Sequence, residues 1–313
     1  FVARLGPDGA PLWGRSYPEA AAQLGVAIAA TDDGAVLLAG RHGGAVDLGG
    51  GPLAGDHFVA RLDGDGAHLW SLGLDAVISD LAALPGGDVV LGGQFSGALD
   101  LGGGPLMTTS PQAIFVARLD AAGQQVWSRA FEDNGNYPHL LDLAAAPEGD
   151  ALAVGFFRKE IAFGGPALVN KTQVEHVFAV RLDGDGGHRW SREFGSFVDQ
   201  TAEAPPRAAI AAAPGGATAF VADFLGEVDL GGGPEESVSD SRDIFVGLYD
   251  PQGEHLWSRR YGGPLFNQAR GVATDEGGHV VLTGQSRGLL DFGGEPLENR
   301  GPADMFVAEL DPG

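Results

Sequence analysis

The feature that most constrains this chain is a long internal repeat. A strand-like segment, FVARL or a close variant, begins at Phe1, Phe58, Phe115, Phe178 and Phe245, with a partial copy at Phe306. The intervals are 57, 57, 63, 67 and 61 residues. All five tryptophans (Trp13, Trp70, Trp127, Trp190 and Trp257) stand twelve residues after the leading Phe of their copy. Repeats of this length are supersecondary units that bury their apolar faces only by stacking on neighbours.

One unit reads as four strands. Residues 58–62 and 68–74 form a hairpin across the Asp63–Gly66 turn, and 78–84 and 89–95 form another across Pro85-Gly86-Gly87. Apolar residues alternate with period two, and Gly and Pro recur too often for helices of three turns. The Ala-rich strand suits a crowded centre, and the Trp strand suits the outside, with its rings packed between units. A short apolar motif follows each time: VDLGG at Val46, LDLGG at Leu99, IAFGG at Ile161, VDLGG at Val228 and LDFGG at Leu290.

These features define an all-β chain: a β-propeller of five blades, each of four antiparallel strands, as one domain over residues 1–313. The alternative is a fragment of a propeller with six or more blades, and a straight solenoid stands behind both. Ring closure is expected to bring residues 12–17 beside the C-terminal strands, and one copy, 1–5 or 306–310, is then surplus. Because the pattern is already under way at Phe1, the chain reads as a processed protein or a piece of a longer one.

Composition narrows the function. The formal charge is −23, with no Cys. Disulfide scaffolds and thiolate zinc sites are excluded, and the charge argues against nucleic-acid binding. No apolar run is long enough to span a bilayer as a helix.

The pair GALDLGGGPL (from Gly97) and IFVARLD..G...WS (from Ile114), recurring through nearly the whole chain, resembles a bacterial β-propeller repeat family of secreted and surface-anchored Gram-negative proteins, the myxobacterial-type repeat proteins. The resemblance implies an exported propeller, often inside a larger lipoprotein or adhesin-like polypeptide, located in the periplasm, on the outer-membrane surface or outside the cell. It implies no catalytic mechanism.

The repeated polar motifs read as architecture. Asp63-Gly64-Asp65-Gly66 and Asp183-Gly184-Asp185-Gly186 lack the ligand spacing of a calcium loop and are taken as hairpin turns. Asp47, Asp100, Asp229 and Asp291 of the LDLGG motif are read mainly as turn caps, and they are the weak candidates for a metal site. No cofactor is expected, with calcium the one to consider. His68, His188 and His255 share a position with Pro11 and Gln125 and are read as exposed hairpin residues.

Function in a propeller comes from what differs between blades. The variable loops gather on one end, where Asp133, Asn134, Asn136, Tyr137, His139 and Asp142 form the densest polar cluster. Asp80 and Asp142 align with Gly25, Ala209 and Gly271 at the channel mouth, one residue beyond Arg270. Such a set suits hydroxyl-rich ligands. There is no GxSxG, HExxH, P-loop or dinucleotide fingerprint. The expectation is therefore a non-catalytic binding or surface-interaction module, not an enzyme, engaging a glycan or an envelope protein. A polysaccharide-acting hydrolase or lyase at the channel mouth is one alternative, and a purely structural scaffold is another.

Overall fold

The computed structural model describes residues 1–18, 22–134, 137–172, 174–196, 207–238 and 241–311. The chain forms two compact units, Phe1–Ala130 and Phe131–Gly313. Among the described residues the secondary structure is strand throughout, apart from two single 3-10 turns at Pro85–Gly87 and Pro214–Gly216.

In the first unit, β1 (Val2–Leu5) and β2 (Pro11–Arg15) form a separate hairpin. A four-stranded sheet follows, β3 (Gln23–Ala30), β4 (Val36–His42), β5 (His57–Leu62) and β6 (His68–Leu74), in that order. The next is built from β7 (Val77–Ala83), β8 (Val89–Phe95), β11 (Ala113–Leu119) and β12 (Gln125–Glu132), with β9 (Ala98–Asp100) and β10 (Pro105–Met107) as a small hairpin between its second and third strands. The second unit repeats the plan. Its first sheet is β13 (His139–Ala145), β14 (Ala151–Phe157), β17 (His176–Leu182) and β18 (His188–Ser196), with the small hairpin β15 (Glu160–Ile161) and β16 (Leu168–Val169). Its second is β19 (Ala208–Ala212), β20 (Thr218–Phe224), β23 (Asp243–Tyr249) and β24 (His255–Tyr261), with the hairpin β21 (Glu227–Asp229) and β22 (Pro234–Glu236). A three-stranded sheet closes the series: β25 (Asn267–Thr274), β26 (Val280–Ser286) and β27 (Asp304–Leu310).

The Ala-rich strand thus lies at one edge of each four-stranded sheet and the Trp strand at the other, as the repeat predicts. Among the described residues the expected ring-closing pair is not found, β2 being bonded to β1 and β27 to β26. The pairings establish repeated four-stranded antiparallel sheets and contain no closed ring.

The third strand is the core of each blade. Phe115, Phe178 and Phe245 are at most 1% exposed, and burying such a ring contributes about 2–3 kcal/mol. Each faces a residue of the second strand that must be small. Gly40, Gly93, Gly155 and Gly284 pair with Phe58, Phe115, Phe178 and Phe306, and a Cβ on Gly93 would lie 1.8 Å from the Val77 carbonyl oxygen. That carbonyl intrudes because β3, β7, β13 and β25 each carry a bulge at this level. β19 pairs without a bulge, and there the small residue is Ala222.

The tryptophans join one blade to the next. Trp13 Nε1 donates to the Gly64 carbonyl at 2.8 Å and Trp70 Nε1 to that of Ala121 at 3.1 Å. Their rings lie over Gly66 and Gly123, and Trp190 lies over Gly253 in the same way. A recurring arginine, which the sequence reading passed over, does similar work. Arg61 Nη1 donates to the Gly87 and Ala121 carbonyls, both at 2.8 Å, and Arg181 Nη1 donates to Gly216.

Candidate active site

The repeated carboxylates are turn elements. Asp47 Oδ1 accepts the N–H groups of Gly49 and Gly51, at 2.7 and 2.9 Å. Asp100 accepts those of Gly102 and Gly104, Asp229 those of Gly231 and Gly233, and Asp291 that of Gly293. In the calcium-like hairpins, Asp63 Oδ1 accepts from Asp65 and Ala67, and Asp183 Oδ1 from Asp185 and Gly187. Among the described residues no group of three or more His, Asp or Glu is arranged to hold a metal ion.

The shared histidines are not exposed hairpin residues. Each is half-buried, with Nε2 on the hydroxyl of the serine three residues on: His68–Ser71 at 2.9 Å, His188–Ser191 at 3.0 Å and His255–Ser258 at 2.9 Å. The rings cover the LDLGG turn, so that a Cβ on Gly50 would lie 2.4 Å from His68 Cε1. Gln125 covers Gly103 in the same way, which is why the position accepts more than one residue type.

The variable-loop candidates have different surroundings. Asp133 is not on the surface: it is 0% exposed, and its carboxylate accepts the N–H groups of Arg158, Lys159 and Glu160 at 2.7, 3.1 and 3.1 Å. Asn134 is exposed and donates its backbone N–H to Glu160 O, while Asn136 lies outside the described residues. Tyr137 is 53% exposed at φ 77°, a backbone angle rare for a side-chain-bearing residue. His139 is pushed below the ordinary histidine range by partial desolvation, with Arg158 adding to the effect and Glu175 opposing it. Asp142 Oδ2 accepts the Ile210 N–H at 2.8 Å and so ties β13 to β19. In register, Asp80 and Asp142 align with Ala27, Ala209 and Gly271, so Ala27 takes the place assigned to Gly25. Arg270 occupies the bulge itself and is exposed.

A different pair of carboxylates shares a concavity. Glu193, on β18, and Asp229, on β21, line one groove of 450 Å³ in the second unit, beside Ser191 and Leu168. This volume falls within the range of ligand pockets. Glu193 Oε1 contacts His176 Nδ1, and His176 Nε2 meets Thr172 Oγ1 at 2.9 Å, so both ring nitrogens of this buried histidine are held. Arg192 also lines the groove, and its guanidinium bonds the Gly253 carbonyl and Glu254, 5.8 Å above the Tyr249 ring. A second cavity in this unit, of 340 Å³, has its carboxylates neutralised, with Asp150 against Arg181 at 2.8 Å and Arg189 at 3.4 Å. In the first unit, Asp56 and Asp75 line a cavity of only 180 Å³. Sequence reasoning missed Glu193 and His176 because neither belongs to a repeated motif. Their value lies in one cross-strand contact.

No protein-family model matches the chain, and no match is found among curated proteins. The resemblance to a secreted repeat family therefore gains no support beyond the propeller itself. The similar solved structures are β-propeller proteins. A GH43_1 enzyme from Xanthomonas citri complexed with xylose has 15% identity and a TM-score of 0.36, over 88% of this chain and 84% of that one. CoXyl43, a GH43 β-xylosidase/α-arabinofuranosidase from a compost microbial metagenome, has 15% identity and a TM-score of 0.36, over 98% and 95%. Regucalcin from Agrobacterium tumefaciens, a calcium-binding protein, has 14% identity and a TM-score of 0.25, over 83% and 81%. The expectation of a non-catalytic, non-enzymatic module is corrected to this extent: the similar solved structures include glycoside hydrolases, so it is not carried forward. At such scores the likeness assigns no residue, and the site rests on the chain's own geometry.

Proposed function

We propose that the chain is a polysaccharide-acting hydrolase whose site is the Glu193–Asp229 groove. The observation that carries this reading is the convergence of two carboxylates from different blades on one groove of sufficient volume. Glycoside hydrolysis needs one carboxyl group to protonate the leaving oxygen and a second to activate water or attack the anomeric carbon. Glu193, whose Oε1 is held against the buried His176 Nδ1, is assigned the first role. Asp229 has Oδ1 fixed by two glycine N–H groups, which orients its carboxylate for the second. In the reaction the glycosidic C–O bond breaks, the leaving oxygen takes the proton of Glu193, and the oxygen of water joins the anomeric carbon as its proton passes to Asp229, from which solvent returns it to Glu193. A net charge of −23 favours neutral over anionic polymers. Export to the cell envelope, where such polymers are met, belongs to the same proposal.

The test is release of reducing ends from a panel of neutral and acidic polysaccharides. Glu193→Gln and Asp229→Asn are each expected to lower turnover by about 100-fold or more. Asp100→Asn, which alters the same type of turn in the first unit, is the structural control and leaves turnover unchanged. Hydrolysis that survives both groove substitutions, or no hydrolysis of any polymer by the folded parent protein, overturns the reading.

A further inference from the structure

The groove carboxylate Glu193 is backed by a chain of hydrogen bonds that lies wholly within the second unit. Glu193 Oε1 contacts His176 Nδ1, His176 Nε2 meets Thr172 Oγ1 at 2.9 Å, and Thr172 Oγ1 lies 2.8 Å from Asn170 Oδ1. Asn170 Oδ1 also accepts the Thr172 N–H at 2.7 Å, and its own amide donates to the Val174 carbonyl at 2.6 Å. Thr172 is exposed, but the groups on either side of it are not: Asn170 is 7% and His176 6% exposed. The His176 ring stands at 77° to that of Phe157, with 6.3 Å between centroids.

A neutral imidazole has one N–H and one lone pair, so its two partners must be of opposite kind. An ionised Glu193 only accepts, which places the hydrogen on Nδ1 and leaves Nε2 to accept from the Thr172 hydroxyl. When Glu193 takes up a proton, Oε1 is already accepting from Nδ1–H. The proton then goes to Oε2, the oxygen left for the groove that Glu193 lines. In the opposite tautomer the Nδ1 lone pair would draw that proton onto Oε1 and away from a substrate.

We propose that Thr172 and His176 are positioning residues that keep the acid proton of Glu193 on Oε2, facing the groove. The catalytic consequence rests on the hydrolase reading, whereas the tautomer is measured without it.

The experiment is nitrogen-15 NMR of the histidine rings in the full chain at about pH 8, above the ordinary histidine range. The His176 signals are identified by their loss in His176→Gln. The parent is expected to carry the hydrogen on Nδ1, and a hydrogen on Nε2 overturns the proposal. Glu193→Gln, which mimics the protonated acid, is expected to keep the Nδ1–H form as long as Thr172 donates. Adding Thr172→Val is expected to bring in the Nε2–H form, and a double variant that stays wholly Nδ1–H shows that Thr172 has no part. In turnover, Thr172→Val is expected to lower kcat by about tenfold, the low end of what losing a supporting hydrogen bond costs, with KM unchanged. Thr172→Ser, which keeps the hydroxyl, is expected to restore it. Hydrolysis that Thr172→Val leaves at the parent's kcat overturns the positioning role alone. Absence of hydrolysis in the parent overturns the hydrolase reading, and the NMR still decides the tautomer.

Discussion

Asp223 and Asp229 show how differently one residue type behaves a few positions apart. Asp229 sits on the surface and caps a turn, whereas Asp223 is 0% exposed, with Arg242 at 2.8 Å and the Arg207 N–H at 2.8 Å. Burial pushes the Asp223 carboxyl up to about 6, against the pull of Arg242. Between about pH 4 and 6 the unfolded chain has lost this proton and the folded chain retains it. The folded state is therefore favoured at the low end of that window and loses up to about 3 kcal/mol by its upper end. Asp223→Asn removes the titration and leaves a constant cost from Arg242. The stability advantage of the parent over the variant, followed by urea unfolding, is thus expected to shrink by up to that amount from pH 4 to 7. A pH-independent difference would show that the buried pair holds Asp223 ionised throughout. None of this was legible in the sequence, where Asp223 has no repeat counterpart. The LDLGG aspartates were legible, because their capping partners lie two and four residues away.

At the scale of the element, the blade-to-blade join depends on Trp–Gly contacts that recur with the repeat. Gly123 has φ 79°, and a Cβ there would lie 2.7 Å from the Trp70 ring. Gly102 has φ 101° with nothing within 4 Å of the same atom. Alanine at Gly102 is expected to cost about 1–2 kcal/mol of backbone strain. Alanine at Gly123 adds overpacking of about 1–3 kcal/mol to that strain. Chemical denaturation of the two variants measures the difference, and equal costs would show that the tryptophan ring moves aside freely. The arginine join is stronger in kind: Arg61 is 3% exposed and meets Asp33 at 2.7 Å besides its two carbonyls. Arg61→Met keeps the stem's packing but leaves those carbonyls without their donor, at an expected cost of about 2–4 kcal/mol in the same assay.

For the molecule as a whole, the net charge of −23 sets the response to ions. The Asp residues of both turn motifs already hold two backbone N–H groups on one oxygen in nearly every copy, and among the described residues none belongs to a group of three or more His, Asp or Glu placed to hold a metal ion. Calcium and magnesium at matched ionic strength are therefore expected to raise Tm by equal, small amounts through screening of self-repulsion. A calcium-selective, saturable rise lost in Asp47→Asn would instead identify a specific site. Among the described residues no helix is long and apolar enough to cross a membrane.

The sequence by itself determined what is local and repeated. Strand positions, turn chemistry, the edge placement of the Ala-rich and Trp strands, and the capping role of the LDLGG aspartates all follow from contacts a few residues apart, or from a pattern restated in every blade. Tertiary structure alone decided which carboxylates share a groove, which are buried with an arginine, and where the sheets stop pairing. Glu193 meets His176 across 17 residues and lines a groove with Asp229, while Asp133 folds inward onto N–H groups 25 to 27 residues away. The copies at Phe1 and Phe306 are nearly alike in sequence, and their pairing depends on which strand lies beside each. Period and turn chemistry report a residue's immediate neighbours along the chain, whereas burial and charge depend on strands that the fold alone brings together.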